Sequence, residues 1–157
     1  MDQHPESPEA TISAVQSAKV QPAVVLPVIA APHRSTSIRY YLKSESPIVD
    51  APSIGPKTAA RFNAIGMYSV EEFLNADAES TAAKLAVRHI TLDVIREWQA
   101  QAKLIAEVPG LRDLDAQLLV ASNVEISDQL RDSDVVGLLD AVTAVTTTSL
   151  GKSILRE

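Results

Sequence analysis

A short stretch of small and polar residues around position 55 has the chemistry of an anion-binding site. Residues 51–59 read APSIGPKTA. We expect Gly55 to adopt a backbone conformation that other residues avoid, and Pro56 suits the first position of a helix. Such a turn leaves backbone N–H groups unpaired at the helix N-terminus, and these groups attract phosphate. The sequence therefore predicts a phosphate-contacting turn whose residues are Ser53, Ile54, Gly55, Lys57 and Thr58.

The same pattern occurs a second time, 57 residues further along the chain. Residues 109–116 read PGLRDLDA and align with residues 52–59. Gly110 and Arg112 are the candidate contacts of this second turn. Because two aspartates closely follow Arg112 and would repel phosphate, we expect the second turn to bind anions less well than the first.

The chain offers no arrangement of residues that is typical of catalysis or metal binding. Its three histidines, His4, His33 and His89, are far apart in sequence, and cysteine is absent. The aspartate pairs at 113 and 115 and at 132 and 134 lie at predicted helix starts, where the helix dipole favours negative charge. We therefore expect no catalytic residue, no metal site, no cofactor and no small-molecule substrate.

Helix start signals divide the rest of the chain into short helices around these turns. The first turn opens into a helix predicted over residues 56–65. Ser69 and Glu72 then have the spacing of a capping box. Thr91 can cap the longest predicted helix, which runs to about residue 107 and carries one apolar stripe. Trp98 lies on that stripe, so we expect it in the core as the largest single packing group.

Composition predicts one aliphatic domain preceded by a proline-rich tail. The chain has 157 residues, of which 46% are hydrophobic and 4% aromatic, enough for a real core. Six of the nine prolines fall before residue 48, and they disfavour regular structure there. We predict a disordered tail over residues 1–33, a connecting segment over 34–50, and a domain over 51–157 with repeats near 51–77 and 108–134.

The connecting segment is the one basic and aromatic stretch of the chain. Ile38, Tyr41 and Leu42 have helical spacing and are predicted to pack a short helix onto the domain. Three basic residues, Arg34, Arg39 and Lys43, could then contact phosphate while Tyr40 stacks on a base. The alternative is an ordinary helix with a solvated charged face.

The first turn resembles the hairpin of the helix-hairpin-helix family, whose usual pattern is Pro-Gly-Ile-Gly-x-x-x-Ala. Ser53 replaces the first glycine, and the matching residues are Pro52, Ile54, Gly55 and Ala59. Residues 39–157 also resemble a bacterial family of domains of unknown function with two degenerate hairpins. With the helix signals, this indicates an all-α fold, a compact bundle of short helices built from two helix-hairpin-helix-like repeats joined by a long helix. The family resemblance implies contact with the DNA backbone.

The distribution of charge leaves two functions open. The chain carries a net charge of −6, and residues 45–157 hold ten basic and seventeen acidic groups, which is opposite to most nucleic-acid modules. One hypothesis is a non-catalytic module that contacts DNA through the first hairpin without sequence specificity. The alternative is a protein-interaction or scaffold module that keeps the fold without binding DNA. The lack of cysteine and of an apolar leader predicts a cytoplasmic location.

Overall fold

The computed structural model describes residues 38–156, and the prediction of an all-α fold is confirmed. Within these residues the chain forms α-helices and no β-strand, and a short 3-10 turn, Ile48–Asp50, comes first. The helices are α1 (Pro56–Ala64), α2 (Val70–Asn75), α3 (Ala78–Leu85), α4 (Leu92–Glu107), α5 (Asp113–Ala121), α6 (Ser127–Asp132), α7 (Val135–Thr147) and α8 (Ser149–Ile154). The tail predicted over residues 1–33 lies outside the described residues.

Side-chain caps fix where several of these helices begin. Ser69 Oγ accepts a hydrogen bond from the Glu72 N–H at 3.2 Å, and Glu72 Oε2 accepts from the Ser69 N–H at 3.0 Å. This reciprocal pair satisfies two amides that have no partner inside α2. Thr91 Oγ1 accepts from the Val94 N–H at 3.4 Å and begins α4, as the sequence indicated.

The connecting segment does not form the predicted helix. Residues 38–43 contain no helical turn; the side chain of Leu42 is buried, whereas that of Ile38 is 72% exposed. These six residues are too few for a stable isolated helix, and Ile38, Tyr40 and Tyr41 are of types with only moderate helix propensity. Instead, the Gly110 N–H donates to the Arg39 carbonyl oxygen at 2.8 Å and attaches the segment to the second turn.

The core gathers around α4, which packs against α2, α3 and α5. Its largest fully buried side chains are Phe62 and Phe73, whose rings meet edge to face with centroids 5.3 Å apart. Trp98 is only partly buried and lies against Phe62 at 6.5 Å. The expectation that Trp98 lies in the core as its largest packing group was therefore wrong, because α4 turns another face inward and leaves the indole at the margin. The buried residues of α4 are Ile95, Gln101, Ala102, Leu104 and Ile105.

Helix bounds and backbone conformation recur at a spacing of 57 residues. The first residues of α1 and α5, Pro56 and Asp113, are 57 apart, and their last residues are 57 apart as well. The same spacing separates both ends of α2 from both ends of α6. Two residues with positive φ, Ser53 at 63° and Gly66 at 83°, have counterparts 57 positions later in Gly110 at 82° and Asn123 at 67°.

Candidate nucleic-acid interface

The first turn is held by Ser53 in the left-handed conformation rather than by Gly55. Ser53 has a φ of 63°, whereas Gly55 has an extended backbone with a φ of −78°. The expectation that Gly55 supplies an unusual conformation was therefore wrong. Ser53 Oγ donates to Gln101 Oε1 at 2.9 Å, and this bond offsets part of the strain that a left-handed serine carries. Gln101 lies 48 residues away, so no local sequence signal could reveal the partner.

The tip of this turn is anchored in the core, which removes Ile54 from the predicted anion contacts. The side chain of Ile54 is 3% exposed, and its N–H donates to the Ala51 carbonyl oxygen at 3.2 Å. Pro52 is fully buried beside it. An amide that already has an acceptor inside the turn is not available to an external phosphate. The role of Ile54 is therefore to fix the turn.

The N-terminus of α1 keeps unpaired amides. The N–H groups of Ser53, Gly55 and Lys57 donate to no other atom of residues 38–156, while those of Thr58 and Ala59 donate to the Gly55 carbonyl oxygen. Ser53, Gly55 and Lys57 are all exposed. The free amides of a helix N-terminus attract negative charge. Thr58, whose amide is occupied, can take part only through its half-buried side chain.

The charge along α1 is uniformly positive. Its sequence, PKTAARFNA, contains Lys57 and Arg61 and no acid. These two residues are four positions apart and therefore lie on the same face of the helix. Neither takes part in an ion pair within residues 38–156, where the ion pairs involve Lys43, Lys103 and Arg131. The first hairpin thus combines unpaired amides with two unneutralised cations.

The amides of Gly110, Leu111 and Arg112 in the second turn are occupied by the chain itself. The Gly110 N–H donates to the Arg39 carbonyl oxygen, and the Leu111 N–H donates to the Val108 carbonyl oxygen at 3.3 Å. The Arg112 N–H donates to Asp115 Oδ2 at 3.2 Å, so a carboxylate of the chain takes the place of an external anion. Gly110 and Arg112 were both predicted phosphate contacts, but their backbone N–H groups are not available to an external anion. Of the two residues, only the Arg112 side chain is left for binding.

The Arg112 guanidinium lies over the ring of Tyr41, at 5.7 Å from its centroid. The Arg39 guanidinium lies over the same ring at 4.9 Å. Arginine and tyrosine attract each other in this geometry because the face of an aromatic ring is electron-rich. The sequence pointed to Arg39 and Arg112 separately, but it assigned Tyr41 to packing and gave no sign that the three residues meet.

A groove of about 790 Å³ separates the first turn from the start of α5. Tyr41 and residues 50–55 line one part of it, and Asp113, Leu114 and Gln117 line another. Burial raises the pKa of the Asp113 carboxyl, and the charge of Asp50 raises it further. Two carboxylates therefore share this groove, and they oppose the entry of a phosphate between its walls.

The remaining surface offers no further chemistry of the kinds that the sequence raised. Within residues 38–156, no three His, Cys, Asp or Glu side chains are placed to hold a metal ion. No helix in this part of the chain has the length and apolar character needed to span a bilayer. Residues 38–156 hold 12 basic and 16 acidic side chains, a net charge of −4.

The fold and the turns define an all-helical domain with an exposed, basic helix N-terminus. A family model described as "Domain of unknown function (DUF4332)" matches residues 52–155, and the chain belongs to that family. No curated protein and no solved structure matched the chain.

Proposed function

We propose that this domain is a non-catalytic binding module that contacts the nucleic-acid backbone through its first hairpin, without sequence specificity. The observation that carries the proposal is the N-terminus of α1, where the exposed Gly55 and Lys57 have unpaired amides and the helix has no acid. Backbone amides read the charge of a phosphate and not the identity of a base, so such contacts carry no sequence information.

The matched halves of the chain support a tandem helix-hairpin-helix arrangement. Helices α1 and α2 have counterparts α5 and α6 with the same bounds 57 residues later. Ser53 adopts the left-handed conformation that Gly110 adopts at the matching position, although its residue type departs from the pattern. We infer that the two turns are copies of one hairpin and that the first keeps its Ser53 and Gly55 amides open, whereas the matching Gly110 and Arg112 amides are occupied.

The expected binding is weak and sensitive to salt. A hairpin with two or three amides and Lys57 neutralises about two phosphates, which corresponds to a slope of roughly −2 in log affinity against log salt. Tight DNA-binding proteins make about 6–10 such contacts. The net charge of −4 over the described residues further lowers the affinity at long range.

A protein-interaction or scaffold module is the second candidate, and α7 is the observation that favours it. Val135, Val136 and Leu139 on this helix are 77%, 66% and 64% exposed. No residue of α7 is fully buried, and Asp140 is its single charged residue. An exposed apolar helix of this kind is typical of protein-binding surfaces.

A DNA-binding measurement separates the two candidates: fluorescence anisotropy of a labelled duplex reports binding at several salt concentrations. Lys57→Glu places a negative charge beside the open amides and is expected to lower affinity at least tenfold, while the helix tolerates Glu in its first turn. Lys84→Glu makes the same charge change on α3, which lines no part of the groove, and serves as the control. Equal affinities of the two variants, or no binding by the wild type at low salt, would favour the protein-interaction module.

A further inference from the structure

We propose that Arg39, Tyr41 and Arg112 form a second phosphate contact with the same nucleic acid that the first hairpin binds. This inference rests on the proposed function, since it extends the binding surface from one contact to two. It concerns side chains rather than amides, because the amides of Gly110, Leu111 and Arg112 in the second turn are already occupied.

The fold brings the three residues together through one backbone hydrogen bond. The Gly110 N–H donates to the Arg39 carbonyl oxygen at 2.8 Å, which holds the connecting segment against the second turn. Arg112 follows that turn two residues later, and Tyr41 follows Arg39 by the same distance in sequence. Both guanidinium groups consequently reach one ring, at 4.9 and 5.7 Å from its centroid.

The cluster is charged and has no internal counterion. The guanidinium groups of Arg39 and Arg112 form no ion pair within residues 38–156, where the ion pairs involve Lys43, Lys103 and Arg131, although the backbone N–H of Arg112 donates to Asp115. Two positive groups that converge on one side chain repel each other, and an exposed ring contact returns only about 0.5–1 kcal/mol each. A bound anion would remove this repulsion.

A guanidinium beside an aromatic ring suits a phosphate ligand. The two guanidinium groups lie 4.9 and 5.7 Å from the ring centroid, and each carries five N–H donors. These donors can bind phosphate oxygens in pairs, which a lysine cannot do. Arg39, Arg112 and the ring of Tyr41 are all exposed, so a backbone phosphate can approach them.

Tyr41 of the cluster and the first turn border the same groove. Tyr41 lines it together with Ser53 and Gly55, and Asp50 and Asp113 line it as well. A strand that contacts both borders must cross the groove above these acids rather than enter it. The two contacts therefore involve separate phosphates, and the acids limit the affinity.

The test compares charge-removing variants in the same salt-titrated anisotropy experiment on a labelled duplex. Because the two guanidinium groups share one phosphate, the double variant Arg39→Gln/Arg112→Gln is expected to bring the salt slope from roughly −3 to roughly −2, the value of the first hairpin alone, and each single variant is expected to weaken binding. Arg88→Gln, in the turn after α3, is the matched control and should leave the slope unchanged. Asp113→Asn should tighten binding by removing one opposing charge.

The outcomes distinguish this inference from the proposed function. If Lys57→Glu weakens binding while both arginine variants behave like Arg88→Gln, the second contact is wrong and the first hairpin stands. If the arginine variants weaken binding and Lys57→Glu does not, the shared path and the hairpin contact both fail. No wild-type binding at low salt overturns both. Circular dichroism of each variant confirms that a loss is not unfolding.

Tyr41→Leu supplies a readout that a mere loss of charge does not give. It keeps both arginines but removes the ring that orients them. If orientation by Tyr41 matters, affinity should fall while the salt slope stays near that of the wild type, because the number of phosphates contacted is unchanged. An affinity equal to that of the wild type would remove Tyr41 from the site.

Discussion

Replacement of Ser53 tests the backbone conformation on which the first hairpin depends. Ser53 has a φ of 63°, a value that costs an L-residue about 1–2 kcal/mol and costs glycine almost nothing. Its hydroxyl also donates to Gln101 Oε1 at 2.9 Å, and Gln101 is 2% exposed. Ser53→Ala removes the hydrogen bond and keeps the strain, whereas Ser53→Gly removes both.

The two effects have opposite signs, and their magnitudes give the expected order. Loss of the donor leaves a buried acceptor unsatisfied, so Ser53→Ala should lower the free energy of unfolding by about 1–3 kcal/mol. Relief of strain returns about 1 kcal/mol to Ser53→Gly after the greater entropy of unfolded glycine is counted. Ser53→Gly should therefore be roughly 1 kcal/mol more stable than Ser53→Ala.

Urea unfolding followed by circular dichroism measures both free energies. In a Gln101→Leu background the hydrogen bond is already absent, so the cost of Ser53→Ala should shrink while the advantage of glycine over alanine remains. Gly110→Ala is the matched control, because Gly110 has a φ of 82° and an added Cβ would meet no atom within 4 Å. It should cost about 1 kcal/mol from conformation alone. A Ser53→Ala protein as stable as Ser53→Gly would refute the left-handed turn.

Three further predictions concern the helices around the hairpins. Phe62→Ala should lower the free energy of unfolding in urea by about 3–5 kcal/mol because the Phe62 ring is fully buried. Trp98→Ala should lower it by less, because the indole is only partly buried. The reverse order would contradict the packing described. Hydrogen bonds from the Tyr68 and Ser69 amides lower the pKa of Glu72, so the stability that this carboxylate contributes is present above its unfolded pKa and is lost as the pH falls through its folded pKa. Glu72→Gln should therefore flatten the dependence of the melting temperature on acid pH. An unchanged pH profile would exclude the cap as the source of that dependence. Gly151→Ala should lower the free energy of unfolding by about 1–3 kcal/mol in the same urea assay, because a Cβ at this position would overlap the backbone near the end of α7. If the variant were as stable as the wild type, the α7–α8 junction would be looser than described.

Much of the fold was predictable because its signals are local. Ser69 and Glu72 carry a capping box within four residues, and the structure contains it. The 57-residue offset could be read from aligned residue types, and helix bounds follow the same offset. Gln129 even takes the place of Glu72 in the second half, where its Oε1 accepts from the Glu125 N–H at 2.8 Å. Caps and turns of this kind depend on neighbours within one helical turn.

The features that were missed depend on residues far apart in the chain. Nothing near Ser53 indicates that Gln101 will accept a hydrogen bond from its hydroxyl, a contact that offsets part of the strain of the left-handed serine. The partial exposure of Trp98 follows from how α4 sits against its neighbours, which an apolar stripe does not specify.

The difference between the two hairpins also emerged only from three-dimensional contacts. Aspartates after Arg112 suggested repulsion of phosphate, but the structure shows a more direct reason, since Asp115 accepts the Arg112 N–H. The bond from Gly110 to the Arg39 carbonyl oxygen joins residues 71 positions apart. That same bond brings Arg39 to Tyr41 and Arg112, a meeting that residue spacing alone could not reveal.

The central claim is that the Ser53 and Gly55 amides of the first turn are open whereas the matching amides of Gly110 and Arg112 are occupied, and amide chemical shifts test it most directly. In a two-dimensional ¹H–¹⁵N NMR titration with a short DNA duplex at low salt, the amide signals of Ser53, Gly55 and Lys57 should shift progressively with added DNA. Those of Gly110 and the Arg112 backbone should move little, because their hydrogen bonds are already made within the chain. Shifts at Gly110 and Arg112 that equal those at Gly55 and Lys57, or no shift at either turn, would contradict the account.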